Sequence, residues 1–202
     1  MSDALDNEAV LIRMTQLGSP ESFDVLVDRY EQRIYRLCYA ITKNAEDAEG
    51  VLQETFLKAY ANIGHFRKDS QFYTWLFRIA INEALTKLRR RHGPAWVSLD
   101  PPVDCDEVPP SPGHTRDWRP NLEESYGANE LRAILAKALE DLDTPLRIVF
   151  ALRDIEGLST QETARVLRLS IGTVKSRLMS ARLKLRKRLS AWFGYRPVLA
   201  PK

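Results

Sequence analysis

The chain has 202 residues, 44% of them hydrophobic and 28% charged, with a formal net charge of +3. That length allows one domain or two small ones, and the balance is that of an ordinary water-soluble globular protein. No apolar run approaches the ~20 residues needed to cross a bilayer, and the polar, acid-leaning start MSDALDNEAV lacks the form of a secretory leader, so a cytoplasmic location is expected.

Helical periodicity dominates from the N-terminus, and strand-like alternation is nearly absent. Phe23, Leu26, Val27, Tyr30, Ile34, Leu37 and Ile41 recur three and four residues apart, which predicts one amphipathic helix. Cys38 lies on that face and reads as core. A second helix is predicted over 45–62, with Ala48, Val51, Leu52, Thr55, Phe56 and Ala59 turned inward. Its outward face shows Glu46, Gln53 and Glu54 around Leu57 and Tyr60. An apolar patch among acids and amides suits a protein partner, because the acids would repel DNA phosphates.

A third helix is predicted over 70–91. Leu76, Phe77, Ala80, Ile81, Ala84 and Leu88 form its buried face, and Trp75, Arg78, Asn82, Thr86 and Arg89 the opposite one. An aromatic at the head of a basic face is equipment for stacking on unpaired bases. The preceding predicted turn adds Phe66, Arg67, Lys68, Phe72 and Tyr73. Partial packing of Trp75 is the competing reading.

The stretch GPAWVSLDPPVDCDEVPPSPGHTRDWRP is proline-rich, acidic and without period, which argues a linker over 93–128. It is longer than loops within compact domains usually are. Helical pattern resumes at 129 and runs in pieces to 189. The fold class expected is all-α: two small helical domains, over 1–92 and 129–189, joined by the linker and followed by a tail over 190–202. Trp192, Phe193 and Tyr195 near the end are expected to pack rather than dock.

Within GLSTQETARVLRLSIGTVKSRL, Ser159 with Glu162 has the form of a capping box. Ser170 is a good N-cap for a second helix, so the segment predicts a helix-turn-helix. At about 100° per residue, Ile171, Val174, Leu178, Ala181, Leu185 and Leu189 fall on one stripe expected to face the core. Opposite lie Gly172, Thr173, Ser176 and Ser180, nearly all small. Lys175, Arg182 and Arg186 border one side, and Arg177, Lys184 and Arg188 the other. From Arg165 to Arg188 there are nine Lys or Arg residues and no acid. Small residues let a helix enter a major groove about 12 Å wide, while flanking cations meet phosphates on either side.

Catalytic chemistry is not visible. Cys38 and Cys105 form no C-x-x-C pair, and His65, His92 and His114 show no ligand spacing. Glu46 and Glu49 have helical spacing but no histidine beside them. No metal, cofactor or enzyme activity is expected.

Together, AEDAEGVLQETFLKAY, FRKDSQFYTWLFRIAINEALTKLRRR and LDTPLRIVFALRDIEGLSTQETARVLRLSIGTVKSRLMSARLKL resemble bacterial RNA polymerase sigma factors of the extracytoplasmic-function (ECF) type in the sigma-70 family. The first two blocks resemble the family's second conserved region, and the third its fourth. The resemblance implies that the chain binds core RNA polymerase and directs it to promoters. Glu46, Gln53, Glu54, Leu57 and Tyr60 would grip the polymerase. Phe66, Arg67, Lys68, Ser70, Phe72, Trp75, Arg78, Asn82 and Arg89 would recognise and help open the minus-ten DNA. Thr173, Lys175, Ser176, Arg177, Met179, Ser180 and Arg182 would read the minus-thirty-five DNA as duplex. An anti-sigma factor, often membrane-bound in such families, is an implied further partner; a small-molecule substrate is not.

Two positions depart from the family pattern. Gly50 stands where an acid is usual in the polymerase-binding helix, which implies a weaker or shifted contact. Arg168 stands where the turn often has glycine, which implies that the left-handed conformation is not needed there. A helix-turn-helix regulator acting without polymerase is the alternative reading; it leaves Trp75 and the Leu57–Tyr60 patch without a task.

Overall fold

The computed structural model describes residues 7–67, 71–93 and 128–192. It is helical throughout these segments. Eight α-helices follow one another: α1 (Glu8–Gln16), α2 (Pro20–Thr42), α3 (Ala45–Asn62), α4 (Phe72–His92), α5 (Ala128–Glu140), α6 (Thr144–Phe150), α7 (Thr160–Leu167) and α8 (Ile171–Trp192). A short 3-10 turn, Ile63–His65, follows α3, and a π-turn, Ala151–Ile155, extends α6. Among the described residues no helix is long and apolar enough to cross a membrane.

Sequence chemistry sets the helix boundaries. Asn7, Ser19, Asn44 and Ser159 are extended residues whose side chains accept backbone N–H groups of the first helical turn, replacing partners that turn lacks. At α7 the capping box is complete: Glu162 N–H donates to Ser159 Oγ at 3.1 Å, and Ser159 N–H donates back to Glu162 Oε2 at 2.7 Å. Ser170 caps α8, accepting from Thr173 N–H at 3.0 Å.

Helices α1–α4 bury the predicted faces against one another. Leu26, Ile34, Leu37, Cys38 and Ile41 from α2 meet Ala48, Val51 and Ala59 from α3 and Leu76, Phe77, Ala80 and Ala84 from α4, all nearly inaccessible. Burial pushes the Cys38 thiol up to about 12, so it is a small apolar residue at neutral pH. Helix α1 was not foreseen. Gln16 at its end donates to Ile63 O at 2.9 Å and Phe66 O at 3.2 Å, tying α1 to the turn after α3.

The two halves also pack on each other. One apolar core runs through both, joining α2 and α4 to Ile148, Val149, Leu152, Leu158 and Val166. A smaller core holds α8 to α5 and α6 through Ala138, Leu142, Leu146, Ala181 and Leu185. Polar groups close the seam. Arg147, 3% exposed, donates to the last-turn carbonyls of α2 at Ala40 and Ile41. In return Lys43 donates to Glu140 O at the end of α5. Each half thus supplies a cation to a helix C-terminus of the other, where carbonyls lack partners and the dipole is negative. Burial pulls Arg147 down to about 10, which leaves it charged at neutral pH.

The sequence reading of the helix-turn-helix is altered at the turn. Arg168 adopts the left-handed conformation, φ 55° and ψ 40°, contrary to the inference drawn from its not being glycine. Leu169 N–H reaches back to Ala164 O at 3.0 Å, the long bond of a Schellman motif. That bond requires a left-handed residue before it, whatever side chain the residue carries.

Candidate nucleic-acid and polymerase interfaces

Three surfaces emerge. The first lies on α3. Leu57 is 67% and Tyr60 45% exposed, and Glu46, Gln53 and Glu54 are exposed beside them. Tyr60 is not loose, since its ring centroid lies 5.0 Å from that of the buried Phe23. Gly50 is exposed on the same face, and a Cβ there would meet only Lys87 Nζ, at 4.0 Å. An apolar patch in an acidic and amide surround is thereby presented on a rigid helix. Val10 and Met14 of α1 and Leu17 just after it are also exposed; their three- and four-residue spacing is the sequence signal for an apolar face there.

The second surface lies on α4. Arg78, Asn82 and Arg89 are exposed and Trp75 is half-buried. Arg67 is exposed in the segment before the helix; Lys68 and Ser70 fall outside the described residues. Phe66 and Phe72 differ from expectation. They are 8% and 2% exposed and cannot meet DNA in this arrangement. Their rings pack perpendicular to each other at 5.5 Å, and Trp75 leans on both, at 5.2 and 5.6 Å. Edge and tilted contacts of this kind suit aromatic quadrupoles. The two phenylalanines therefore form a floor that fixes the indole, while the indole's remaining surface stays open.

The third surface is the exposed side of α8. Val174, Leu178, Ala181 and Leu185 are buried as expected, but Ile171 is 45% exposed. It is the first residue of the helix, whereas α5 and α6 cover the later turns around Ala181 and Leu185. Gly172, Lys175, Met179, Arg182, Arg186 and Lys187 are exposed, and Thr173, Ser176 and Ser180 half-buried. Arg177 differs from the expectation of an exposed border cation, being 2% exposed. Lys184, seven residues on and about 20° away around the helix, is exposed, so the burial of Arg177 comes from its surroundings near the start of α8 and not from its angle alone.

The border cations are also not equivalent. Arg182 holds Asp154 through two bonds, Nε to Oδ2 at 2.9 Å and Nη2 to Oδ1 at 2.6 Å. Asp154 keeps Arg182 still more firmly protonated than an isolated guanidinium. Lys184 pairs with Asp143 at 2.5 Å and Arg188 with Asp141 at 3.0 Å. The charge excess counted along the helix is thus partly cancelled by acids from α5 to the π-turn. Sequence counting along one element missed this, because those acids precede the basic stretch.

Among the described residues no group of three His, Cys, Asp or Glu side chains could hold a metal ion. The described surface features are an apolar patch among acids and amides on α3, and basic faces on α4 and α8.

The chain is similar to known proteins along most of its length. Residues 26–93 match Sigma-70 region 2, and residues 132–185 match Sigma-70, region 4. The RNA polymerase sigma-H factor of Pseudomonas aeruginosa is 35% identical over 187 residues, covering 91% of this chain and 94% of that one. The ECF RNA polymerase sigma-E factor of Escherichia coli is 36% identical over 186 residues, covering 90% and 93%. Among solved structures, CnrH in complex with the cytosolic domain of CnrY superposes with TM-score 0.63 at 27% identity, covering 90% of this chain and 96% of that one. The sigma factor RpoE of Bartonella quintana, solved with the anti-sigma factor NepR, shares the fold at TM-score 0.61 and 24% identity, covering 84% and 98%. The chain belongs to the ECF sigma factors of the sigma-70 family, the promoter-specificity subunits of bacterial RNA polymerase.

Proposed function

We propose the following division of labour along the chain. Residues 1–92 bind core polymerase and the minus-ten element, 93–128 link the halves, and 129–189 read the minus-thirty-five element. Helix α3 grips the polymerase through Leu57 and Tyr60, with Glu46, Gln53 and Glu54 around them. Trp75, held by Phe66 and Phe72, stacks on an unpaired base of the minus-ten element. Arg67, Lys68, Ser70, Arg78, Asn82 and Arg89 hold that strand. Thr173, Lys175, Ser176, Met179 and Ser180 of α8 enter the duplex groove, and Arg182 contacts its edge. The observation that carries this reading is one chain with both an aromatic-basic face for single strands and a small-residue, cation-bordered helix for duplex.

The chemistry of RNA synthesis stays with the polymerase, so the chain itself needs no cofactor, and its place is the cytoplasm where polymerase works. Control by an anti-sigma factor is part of the proposal, supported by relatives solved with the cytosolic domain of CnrY and with NepR. The test is transcription from genomic fragments by core polymerase with and without the protein, mapping every RNA 5′ end. New starts sharing two spaced elements are expected. Duplex binding by the protein alone with no new starts would instead identify a regulator that works without polymerase.

A further inference from the structure

We infer that Met179 reads thymine in the upstream element, through apolar contact with the base's 5-methyl group. The inference rests on the assignment of α8 to duplex DNA and adds the chemistry of the readout. The usual route to base discrimination is an arginine giving two N–H groups to guanine. Neither arginine expected on this face is placed for it. Arg177 is 2% exposed, and Arg182 spends two N–H groups on Asp154, at 2.9 and 2.6 Å. The first four turns leave Lys175 as the exposed cation with no ion pair to a described residue.

What the face offers in place of guanidinium is apolar. Met179 is 44% exposed, with Ser176 and Ser180 half-buried beside it and exposed Gly172 two turns earlier. Small neighbours let the thioether stand proud of the helix. A flexible, polarisable side chain there costs solvent exposure in the free protein and gains most when it meets another apolar group. The thymine methyl is the one apolar group that a major-groove base edge presents.

The test uses holoenzyme assembled from the full chain and core polymerase, with a promoter duplex obtained by the transcript mapping above. Each upstream-element thymine is replaced in turn by deoxyuridine, which removes only the methyl. Wild type should lose about fourfold in affinity at one position, the value of burying one methyl-sized group. Met179→Ala should bind the unmodified duplex about as weakly, and uracil at that position should then cost nothing further. Met179→Leu should keep the uracil sensitivity, which separates apolar contact from a folding defect. Wild type indifferent to uracil everywhere, or Met179→Ala as sensitive as wild type, overturns the inference. Lys175→Ala is run in parallel and should lower affinity and flatten its salt dependence. If that variant binds like wild type, the assignment of α8 to DNA fails as well. If only uracil is silent, the methyl readout alone is refuted.

Discussion

Arg33 and Glu156 are 123 residues apart in sequence, and Arg33 Nε donates to Glu156 Oε2 at 2.8 Å. The carboxylate is 1% exposed and the guanidinium 32%. Arg33 adds a bond to Glu156 O at 3.0 Å and lies 5.7 and 5.2 Å from the ring centroids of Tyr73 and Phe77. Arg36 binds the second carboxylate oxygen at 3.0 Å. One acid from the end of the π-turn thus fastens the C-terminal half to α2, with the guanidinium resting on α4.

Removing that acid should loosen the seam. A buried pair broken on one side costs about 3–5 kcal/mol, but both arginines keep contact with water, so a smaller loss is expected. Glu156→Ala should lower unfolding free energy by about 1–3 kcal/mol. It should also raise the radius of gyration in solution scattering as the halves separate. An unchanged radius together with an unchanged urea midpoint would mean that the apolar core alone holds the seam.

A second fastening is sensitive to acid. The Glu162 carboxyl is held below its ordinary value first by the Tyr73 hydroxyl, then by the hydroxyl and backbone N–H of Ser159. A lowered folded-state pKa means stability present above the unfolded value, near 4.5, and lost as pH falls through the folded one. Wild type should therefore exceed Glu162→Gln in stability at neutral pH, and the gap should narrow on acidification below the unfolded value. Denaturation curves at a series of pH values check this. A gap that stays constant would show that the amide caps α7 as well as the carboxylate does.

Much of this fold was legible in the sequence, and the parts that were not share a cause. Three- and four-residue spacing on α2, α3, α4 and α8 predicted the buried faces of single helices, because periodicity reports an element's own geometry. It does not report what lies on the far side of the chain. The acids at 141, 143 and 154 that pair with α8, and the shared core of α2, α4 and α7, are relations between elements. Arg177 illustrates the point, since its helical angle suggested a border while its surroundings in the folded chain bury it. Phe66 illustrates another, since it follows the 3-10 turn, where no period exists to read, whereas Phe72 stands one turn before the buried Leu76 and was legible. The outward patch of Leu57 and Tyr60 was legible because apolar residues off the buried stripe stand out against it.

Arg168 carries a backbone conformation that glycine adopts without cost. With φ at 55°, an L-residue is strained by about 1 kcal/mol or more. Arg168→Gly should therefore raise thermal stability, offset in part by the greater freedom glycine gives the unfolded chain. A gain of up to about 1 kcal/mol is expected, with Arg168→Ala giving none. Calorimetry on the three proteins decides. A glycine variant that melts below wild type would mean that the Arg168 side chain contributes contacts exceeding the strain.

Gly50 and Leu57 test the proposed polymerase surface from opposite directions. They lie two turns apart on the exposed side of α3, so substitution at either leaves the core untouched. Leu57→Glu places a charge in the apolar patch and should weaken core polymerase binding at least tenfold, the effect of losing about 1.4 kcal/mol. At Gly50 an added side chain finds open space, with Lys87 Nζ 4.0 Å from the new Cβ. Ala there should add up to about 1 kcal/mol of helix stability. Gly50→Asp should in addition tighten polymerase binding, because it adds an acid to the acidic and amide surround of the patch. The comparison is an affinity titration of labelled protein with core polymerase. If Gly50→Asp leaves affinity where it was while Leu57→Glu abolishes it, the patch binds polymerase through apolar contact alone, and the glycine does not weaken it.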